Sequence, residues 1–379
     1  TAGAGSFECG VAGSGCRVSG VGCRVSGVGC RVSGVGCRVS GGGVCVLFDL
    51  RDVELGVRLR GVSLRIAGGV TAILGYSGAG KSSLLSVLAG FEQPTCGTVE
   101  RADPDPGAGA ALPCYWVPQS GGLWSHVSVR GHVELVSAVP ADEILRAFDL
   151  WERRDACPGD LSQGERSRLS VVRALSAGAA VLLMDEPLSH VDPVRKPGYW
   201  EELSCRLRAT GASLVFSSHE PGVVLRHAER VVCLRAGRVW HESAVRDLYE
   251  RAPDRQLGEF LGPLNWLDGA LAVALGLGAE VLGEADRRGG VCVRPERLRL
   301  RAAEGGVGAD LGCVAGGRWV RGGVVRVLES RLAGGLAETV VLGVCGRECR
   351  LLHVPGVGLG VGVGSSVYVE VSLPEGAVT

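Results

Sequence analysis

Residues 75 to 83 read Gly75-Tyr76-Ser77-Gly78-Ala79-Gly80-Lys81-Ser82-Ser83. This is the spacing G-x-x-x-x-G-K-[ST], in which glycines let backbone N–H groups converge on phosphate oxygens. Lys81 suits the β- and γ-phosphates of a nucleotide, and the Ser82 hydroxyl suits a hard cation such as Mg²⁺. Further on, Val181-Leu182-Leu183-Met184-Asp185-Glu186-Pro187 is an apolar run that ends in two carboxylates. Such a pair can divide the work: Asp185 holds Mg²⁺ through water, and Glu186 polarises an attacking water. Taken singly, other polar residues have duller readings. His219 alone is a packed or solvated histidine, Asp192 before Pro193 a helix cap, and His126 and His132 match no motif and are expected to pack or face solvent.

Strands and a helix N-terminus must hold these side chains. Val44 to Leu50 and Val62 to Ile66 alternate like strands, with a turn at Gly68-Gly69. Val70 to Leu74 is a short apolar run suited to a buried strand, and it leads into residues 75 to 83 and then the helical Leu84 to Ala89. The helix N-terminus adds a favourable dipole for an anion. Arg166 to Ser176 also reads as helix. A hairpin-like pair from Arg230 to Val239 and a helix near Ser243 to Arg251 close this region, giving an expected domain of residues 44–250. Residues 258–379 alternate short Val- and Leu-rich stretches with glycine turns, as at Gly289 to Arg301, Gly323 to Leu328, Thr339 to Val344 and Ser366 to Ser372, which predicts a small β-barrel.

A length of 379 residues and a hydrophobic share of 46% can supply two cores. Forty basic residues balance forty acidic ones, so there is no global pull toward nucleic acid or an anionic membrane. The basic residues are arginines except for Lys81 and Lys196; this bias makes arginine abundance uninformative and Lys81 conspicuous. The longest apolar candidate, Leu267 to Gly283, contains Asp268 and Glu280 and falls short of a membrane span of about 18 residues. A secretory signal is not evident at the N-terminus, so the fifteen cysteines are expected as mostly free thiols of a cytoplasmic protein. Cys345 and Cys349 read as structural rather than metal-binding. Residues 16–43, within the segment 1–43, hold a near-perfect heptapeptide repeat, Cys-Arg-Val-Ser-Gly-Val-Gly, starting at Cys16, Cys23, Cys30 and Cys37. Its glycines and the lack of large apolar heptad positions argue against a coiled coil and for low-complexity disorder. With Thr1 rather than Met at the start, it reads as upstream sequence translated through a misplaced start.

Leu161-Ser162-Gln163-Gly164-Glu165 resembles the signature of ABC transporter ATPases, usually Leu-Ser-Gly-Gly-Gln, and it precedes Asp185-Glu186 as the family requires. Gln119 after Tyr115-Trp116-Val117-Pro118 looks like the Q-loop glutamine, Ser189 to Asp192 like the D-loop, and His219 in Phe216-Ser217-Ser218-His219 like the switch histidine. All six features arrive in family order. The resemblance implies an α/β fold: a P-loop ABC ATPase domain with a helical subdomain, then a small all-β OB-like (TOBE) barrel, after a disordered Gly/Cys-rich repeat. It further implies a homodimer closing on two ATP molecules, with the signature of one subunit meeting the γ-phosphate held by the other's loop. Gln119 would sense Mg²⁺ and water, and His219 would hold the γ-phosphate.

Three features depart from the pattern. Gln163 replaces a glycine and Glu165 a glutamine. The usual adenine-stacking tyrosine is missing, with Phe48 a candidate substitute. The interval from Gln119 to Leu161 is short, implying a trimmed helical subdomain. Phe260-Leu261-Gly262-Pro263-Leu264-Asn265 and Val293 to Leu300 are similar to the TOBE domain of import ATPases that serve sugars, polyamines, ferric iron, sulfate or molybdate. Within that group, Gly69 to Lys81 and Asp192 to Lys196 look most similar to the molybdate importer. The implied partners are two integral membrane permease subunits and, indirectly, a solute-binding protein, with no nucleic acid. The implied place is peripheral, on the cytoplasmic face of the membrane. A transporter-independent ABC protein is disfavoured because neither a second cassette nor a long coiled-coil insertion is evident, and an exporter is disfavoured by the barrel.

Overall fold

The computed structural model describes residues 31–32, 35–36, 39–40, 44–101, 112–137, 140–278, 281, 289–302, 317–333, 335–355, 363 and 365–374. Most of the expected tail of residues 1–43 lies outside the described residues. Within it the backbone forms three two-residue strands, β1 (Arg31–Val32), β2 (Val35–Gly36) and β3 (Val39–Ser40). β1 pairs antiparallel with β2, and β3 pairs with Val44 and Cys45. These two-residue pairings involve no residue of either hydrophobic core, in keeping with the low-complexity tail expected from the sequence.

The chain divides into two compact units, Thr1–Glu220 with His227–Glu242, and Pro221–Arg226 with Ser243–Thr379. The first contains, in order, β4 (Val44–Leu55), β5 (Leu59–Ala67), β6 (Val70–Gly75), α1 (Lys81–Leu88), β7 (Cys96–Arg101), β8 (Leu112–Val117), α2 (Val129–Glu134), α3 (Asp142–Ala147), α4 (Gln163–Ser176), β9 (Ala179–Asp185), α5 (Lys196–Thr210) and β10 (Ser213–Ser217). After α6 (Pro221–His227) come β11 (Arg230–Arg235) and β12 (Arg238–Ala244). β4 lies between β5 and β7 in an antiparallel sheet. A six-stranded sheet has the order β12-β11-β6-β10-β9-β8.

In that larger sheet β11, β6, β10, β9 and β8 run parallel. Every residue of β9 and β10 is buried, which explains their unbroken apolar runs: a parallel strand covered on both faces has no polar side to alternate with. Phe48, Ile66, Ile73, Leu84, Leu85, Leu88, Leu183, Val215 and Leu234 build the core between the sheets and α1. Because the strands are parallel, their C-terminal ends share one edge, where open α/β sheets hold ligands. Residues 75–80 leave β6 there, Gln119 follows β8, Glu186 follows β9 and His219 follows β10. Among the described residues between Gln119 and Leu161 the regular elements are the six-residue helices α2 and α3 and two single 3₁₀ turns, as the short interval predicts.

The second unit contains α7 (Val245–Glu250), α8 (Arg255–Glu259), β13 (Asn265–Leu267), α9 (Gly269–Ala274), β14 (Val291–Val293), β15 (Leu298–Ala302), β16 (Gly317–Ala333), β17 (Leu336–Leu342), β18 (Glu348–His353) and β19 (Ser366–Pro374). α7, expected at the end of the first domain, belongs here: the Tyr249 hydroxyl donates to Glu296 Oε1 at 2.7 Å, and Arg297 pairs with Glu250 at 3.4 Å. The expected barrel is a five-stranded antiparallel sheet of order β15-β19-β16-β17-β18, with β13 paired to β14 beside it. Its edge strands β15 and β18 approach one another without entering a common ladder. Alternate residues of β17 and β19 point into a core of Leu267, Val293, Leu300, Val327, Val341, Leu351 and Val369.

Candidate active site

The phosphate-type loop is set by backbone conformation. Gly80 caps α1 with φ +104°, and a Cβ there would lie 2.8 Å from the Arg58 carbonyl oxygen, so only glycine can make this turn. The N–H groups of the first turn at Lys81, Ser82 and Ser83 are left for a ligand or solvent. Lys81 Nζ donates to the Gly75 and Tyr76 carbonyls at 2.9 and 3.2 Å, which lays the ammonium across its own loop. Tyr76, Ser77, Gly78 and Ser82 are exposed, whereas Ala79 and Ser83 are buried beneath them.

The two carboxylates are oriented by one serine from the next strand. Ser217 Oγ donates to Asp185 Oδ1 at 2.5 Å and accepts from the Glu186 N–H at 2.9 Å. Asp185 is only 5% exposed. Glu186 has φ +51°, a left-handed conformation that costs a non-glycine residue on the order of 1–3 kcal/mol and persists where surrounding contacts enforce it. Its carboxylate lies between two neighbours: Gln119 Nε2 donates to Oε2 at 3.5 Å, and His219 Nδ1 lies 3.2 Å from Oε1. Three residues far apart in sequence thus meet at the ends of β8, β9 and β10.

The segment Leu161 to Glu165 makes a different set of contacts. Leu161 is buried, and Ser162 is the N-cap of α4 in a reciprocal capping box. Its N–H and hydroxyl both donate to Glu165 Oε2 at 2.8 Å, and its Oγ accepts from the Glu165 N–H at 3.3 Å. The backbone hydrogen bond from Ser162 holds the Glu165 carboxyl below the usual carboxylate range, against the opposing effect of burial. Glu165 therefore stabilises the helix end directly. Gln163 is exposed. A Cβ on Gly164 would lie 3.0 Å from the His190 carbonyl oxygen, so this glycine lets α4 approach residues 190–191. Asp192 Oδ1 accepts from the Val194 N–H at 2.8 Å, the local turn cap that its position before Pro193 suggests.

The ABC transporter family matches residues 59–189. The spermidine/putrescine import ATP-binding protein PotA 1 of Pseudomonas aeruginosa is 33% identical over 268 residues, 62% of this chain and 72% of that protein. The chain belongs to the import-type ABC transporter ATP-binding proteins. The Fe(3+) ions import ATP-binding protein FbpC of Yersinia pestis bv. Antiqua is 30% identical over 257 residues, covering 61% of this chain and 71% of that protein. A solved ATP-binding subunit of an ABC transporter is 21% identical, with a TM-score of 0.47 over 54% of this chain and 92% of its own.

In this ABC ATPase, several supporting residues escape sequence reading. Arg173 of α4, 3% exposed, donates to the Gly122 and Gly121 carbonyls at 2.8 and 3.1 Å. It also lies 4.7 Å over the Trp124 ring, tying α4 to the loop that follows Gln119. Burial lowers its pKa. His132, expected to pack or face solvent, is buried and packs. Its Nδ1 donates to the Ser128 carbonyl at 2.8 Å, its Nε2 accepts from the Trp124 N–H at 2.9 Å, and its ring stacks on Trp124. Phe48 fails as the adenine-stacking substitute: it is 0% exposed and sits in the core between β5 and β7. The alternation that puts Phe48 and Leu50 on the same buried face of β4 was the available signal. Among the described residues no cluster of three or more His, Cys, Asp or Glu side chains is placed to hold a metal on its own. Likewise, no helix among them is long and apolar enough to cross a membrane.

Proposed function

We propose that the loop at Gly75 to Ser83 binds ATP and that Glu186, set between Gln119 and His219, directs water at its γ-phosphate. The observation that carries this reading is the meeting of Gln119, Glu186 and His219 at the strand ends beside the loop that leaves β6. Lys81 moves from the Gly75 and Tyr76 carbonyls to the phosphates when nucleotide enters. His219 takes up the γ-phosphate, and Gln119 orients water and links the strands to the helical part. The residues present suit Mg²⁺, since Ser82 offers an exposed hydroxyl, and Asp185 a carboxylate already oriented by Ser217. Ser82, Asp185 and Gln119 would hold it, and the ion would supply charge neutralisation at the phosphates.

The working unit is a homodimer in which Leu161, Ser162, Gln163, Gly164, Glu165 and Asp192 of one copy complete the site of the other. The start of α4 then presents its N-terminal N–H groups to the γ-phosphate. Two membrane permeases, fed by a solute-binding protein, carry the cargo, and the ATPase sits peripherally on the cytoplasmic face. The five-stranded sheet of the second unit acts as a regulatory TOBE-type domain. For the cargo, a polyamine or ferric iron has the better support, since the relatives named above serve those solutes. The molybdate-type oxyanion expected from Gly69 to Lys81 gains none from them. Transport assays with reconstituted permeases and radiolabelled spermidine, ferric iron and molybdate would decide, and uptake of molybdate alone would reverse the preference. The nucleotide assignment is tested by Lys81→Ala: equilibrium titration should show ATP affinity falling at least tenfold, and undiminished affinity would refute the role of the loop.

A further inference from the structure

Lys196 is one of only two lysines in the chain, and it stands where a lysine is costly. It opens α5 and is 8% exposed. A cation at a helix N-terminus meets the positive end of the dipole, and burial removes its hydration. What compensates is Glu220: Lys196 Nζ donates to Glu220 Oε1 at 2.7 Å and lies 3.5 Å from the Ser189 carbonyl oxygen. Glu220 is the residue immediately after His219, and its N–H donates to Ser218 Oγ at 3.0 Å.

These contacts close a ring that passes through Glu186. The Ser189 N–H donates to the Glu186 carbonyl at 3.3 Å, and the Lys196 N–H donates to the Asp192 carbonyl at 2.9 Å. From Ser189 the ring runs through Lys196 Nζ to Glu220, back one residue to His219, and from its Nδ1 to Glu186 Oε1 at 3.2 Å. His219 is otherwise well exposed, its side chain 63% accessible, so its own burial does not fix it. Resting on the ATPase reading above, we propose that the Lys196–Glu220 pair is a latch between residues 189–192 and His219. Lys196 is a positioning residue: it holds His219 against Glu186 and couples that placement to the segment that ends in Asp192.

Steady-state ATP hydrolysis and equilibrium ATP binding by the full chain test this with variants at three positions. Lys196→Met should lower kcat on the order of tenfold or more, as misplacement of a reacting group does, while ATP affinity stays within twofold because the loop at 75–83 is untouched. Lys196→Arg, which keeps the charge, should recover most of the rate, and Glu220→Gln should reproduce the loss. The decisive measurement is the double variant Lys196→Met/His219→Ala, whose kcat should be no lower than that of His219→Ala, because two residues acting through one step are not additive. Multiplying losses, parental kcat in Lys196→Met, or no recovery in Lys196→Arg would overturn the latch. If Lys196→Met proves unstable, Glu220→Gln paired with His219→Ala gives the same cycle. Failure of the parent chain to hydrolyse ATP would instead overturn the reading on which the latch rests, a separate and recognisable outcome.

Discussion

Both units bury polar side chains that end on backbone, as Arg173 does in the ATPase unit, but one buried network of the ATPase unit ends differently. In the second unit Arg294, 1% exposed, donates to the carbonyls of Tyr249, Gly258, Gly262 and Pro263 at 2.7 to 3.2 Å. Asn265 likewise pairs with the Val293 carbonyl and with both backbone groups of Leu352. These side chains end on backbone, so they join segments and leave no reactive group facing outward. In the ATPase unit the buried Ser217 and Asp185 lead to Glu186, and Glu186 leads to the exposed Gln119 and His219. A buried polar network that terminates on an accessible carboxylate is built for a ligand. One that terminates on carbonyls is built for stability.

Mutation should separate the two uses. The largest effect is expected for Glu186→Gln, which should lower hydrolysis on the order of 10²- to 10⁴-fold while ATP still binds and a closed dimer accumulates. Phosphate release together with size-exclusion chromatography in ATP checks both halves, and a parental rate would contradict the role of Glu186. Arg294→Met leaves four carbonyls without their donor. It should cost the second unit about 3 kcal/mol, read as earlier unfolding by urea with pulse proteolysis, while ATP affinity is unchanged; a loss of affinity instead would erase that division of labour.

A smaller effect concerns pH. Burial keeps the folded-state pKa of His132 below the ordinary histidine value, an effect that the hydrogen bond to the Ser128 carbonyl opposes in part. The folded state then binds fewer protons than the unfolded one between the two pKa values. The stabilising contribution is full above about pH 6.5 and is lost as pH falls through the folded value. Thermal melts from pH 8 to 5 should show this decline, and His132→Asn should flatten it.

Residues 75 to 83, Leu161 to Glu165 and Asp185-Glu186 are legible in the sequence because each is contiguous and its chemistry depends on local backbone. A glycine at position 80, a serine at the start of a helix and a carboxylate after an apolar strand act where they stand. Arg173, Ser217, Lys196 and Glu220 were not legible, since the partners that define them lie 24 to 52 positions away, from Lys196 and Glu220 to Gly121 and Arg173. The same limit explains Phe48: an aromatic ahead of the loop can stack on a base or fill a core, and only the packing of β4 between β5 and β7 decides for the core. It explains α7 as well, whose helical pattern says nothing about which core accepts Leu248.

The sequence by itself determined the family order of the motifs, the glycine-rich loop at residues 75 to 83, the paired carboxylates and the existence of a second, β-rich unit. Those follow from residue types at fixed short spacing and from strand periodicity. Only the tertiary structure decided that Gln119, Glu186 and His219 meet, that one serine aligns Asp185 with Glu186, and that the rare lysine at 196 closes a ring with Glu220. Parallel strands bring their ends to one edge whatever the length of chain between them, and that register is a property of the sheet rather than of any segment within it.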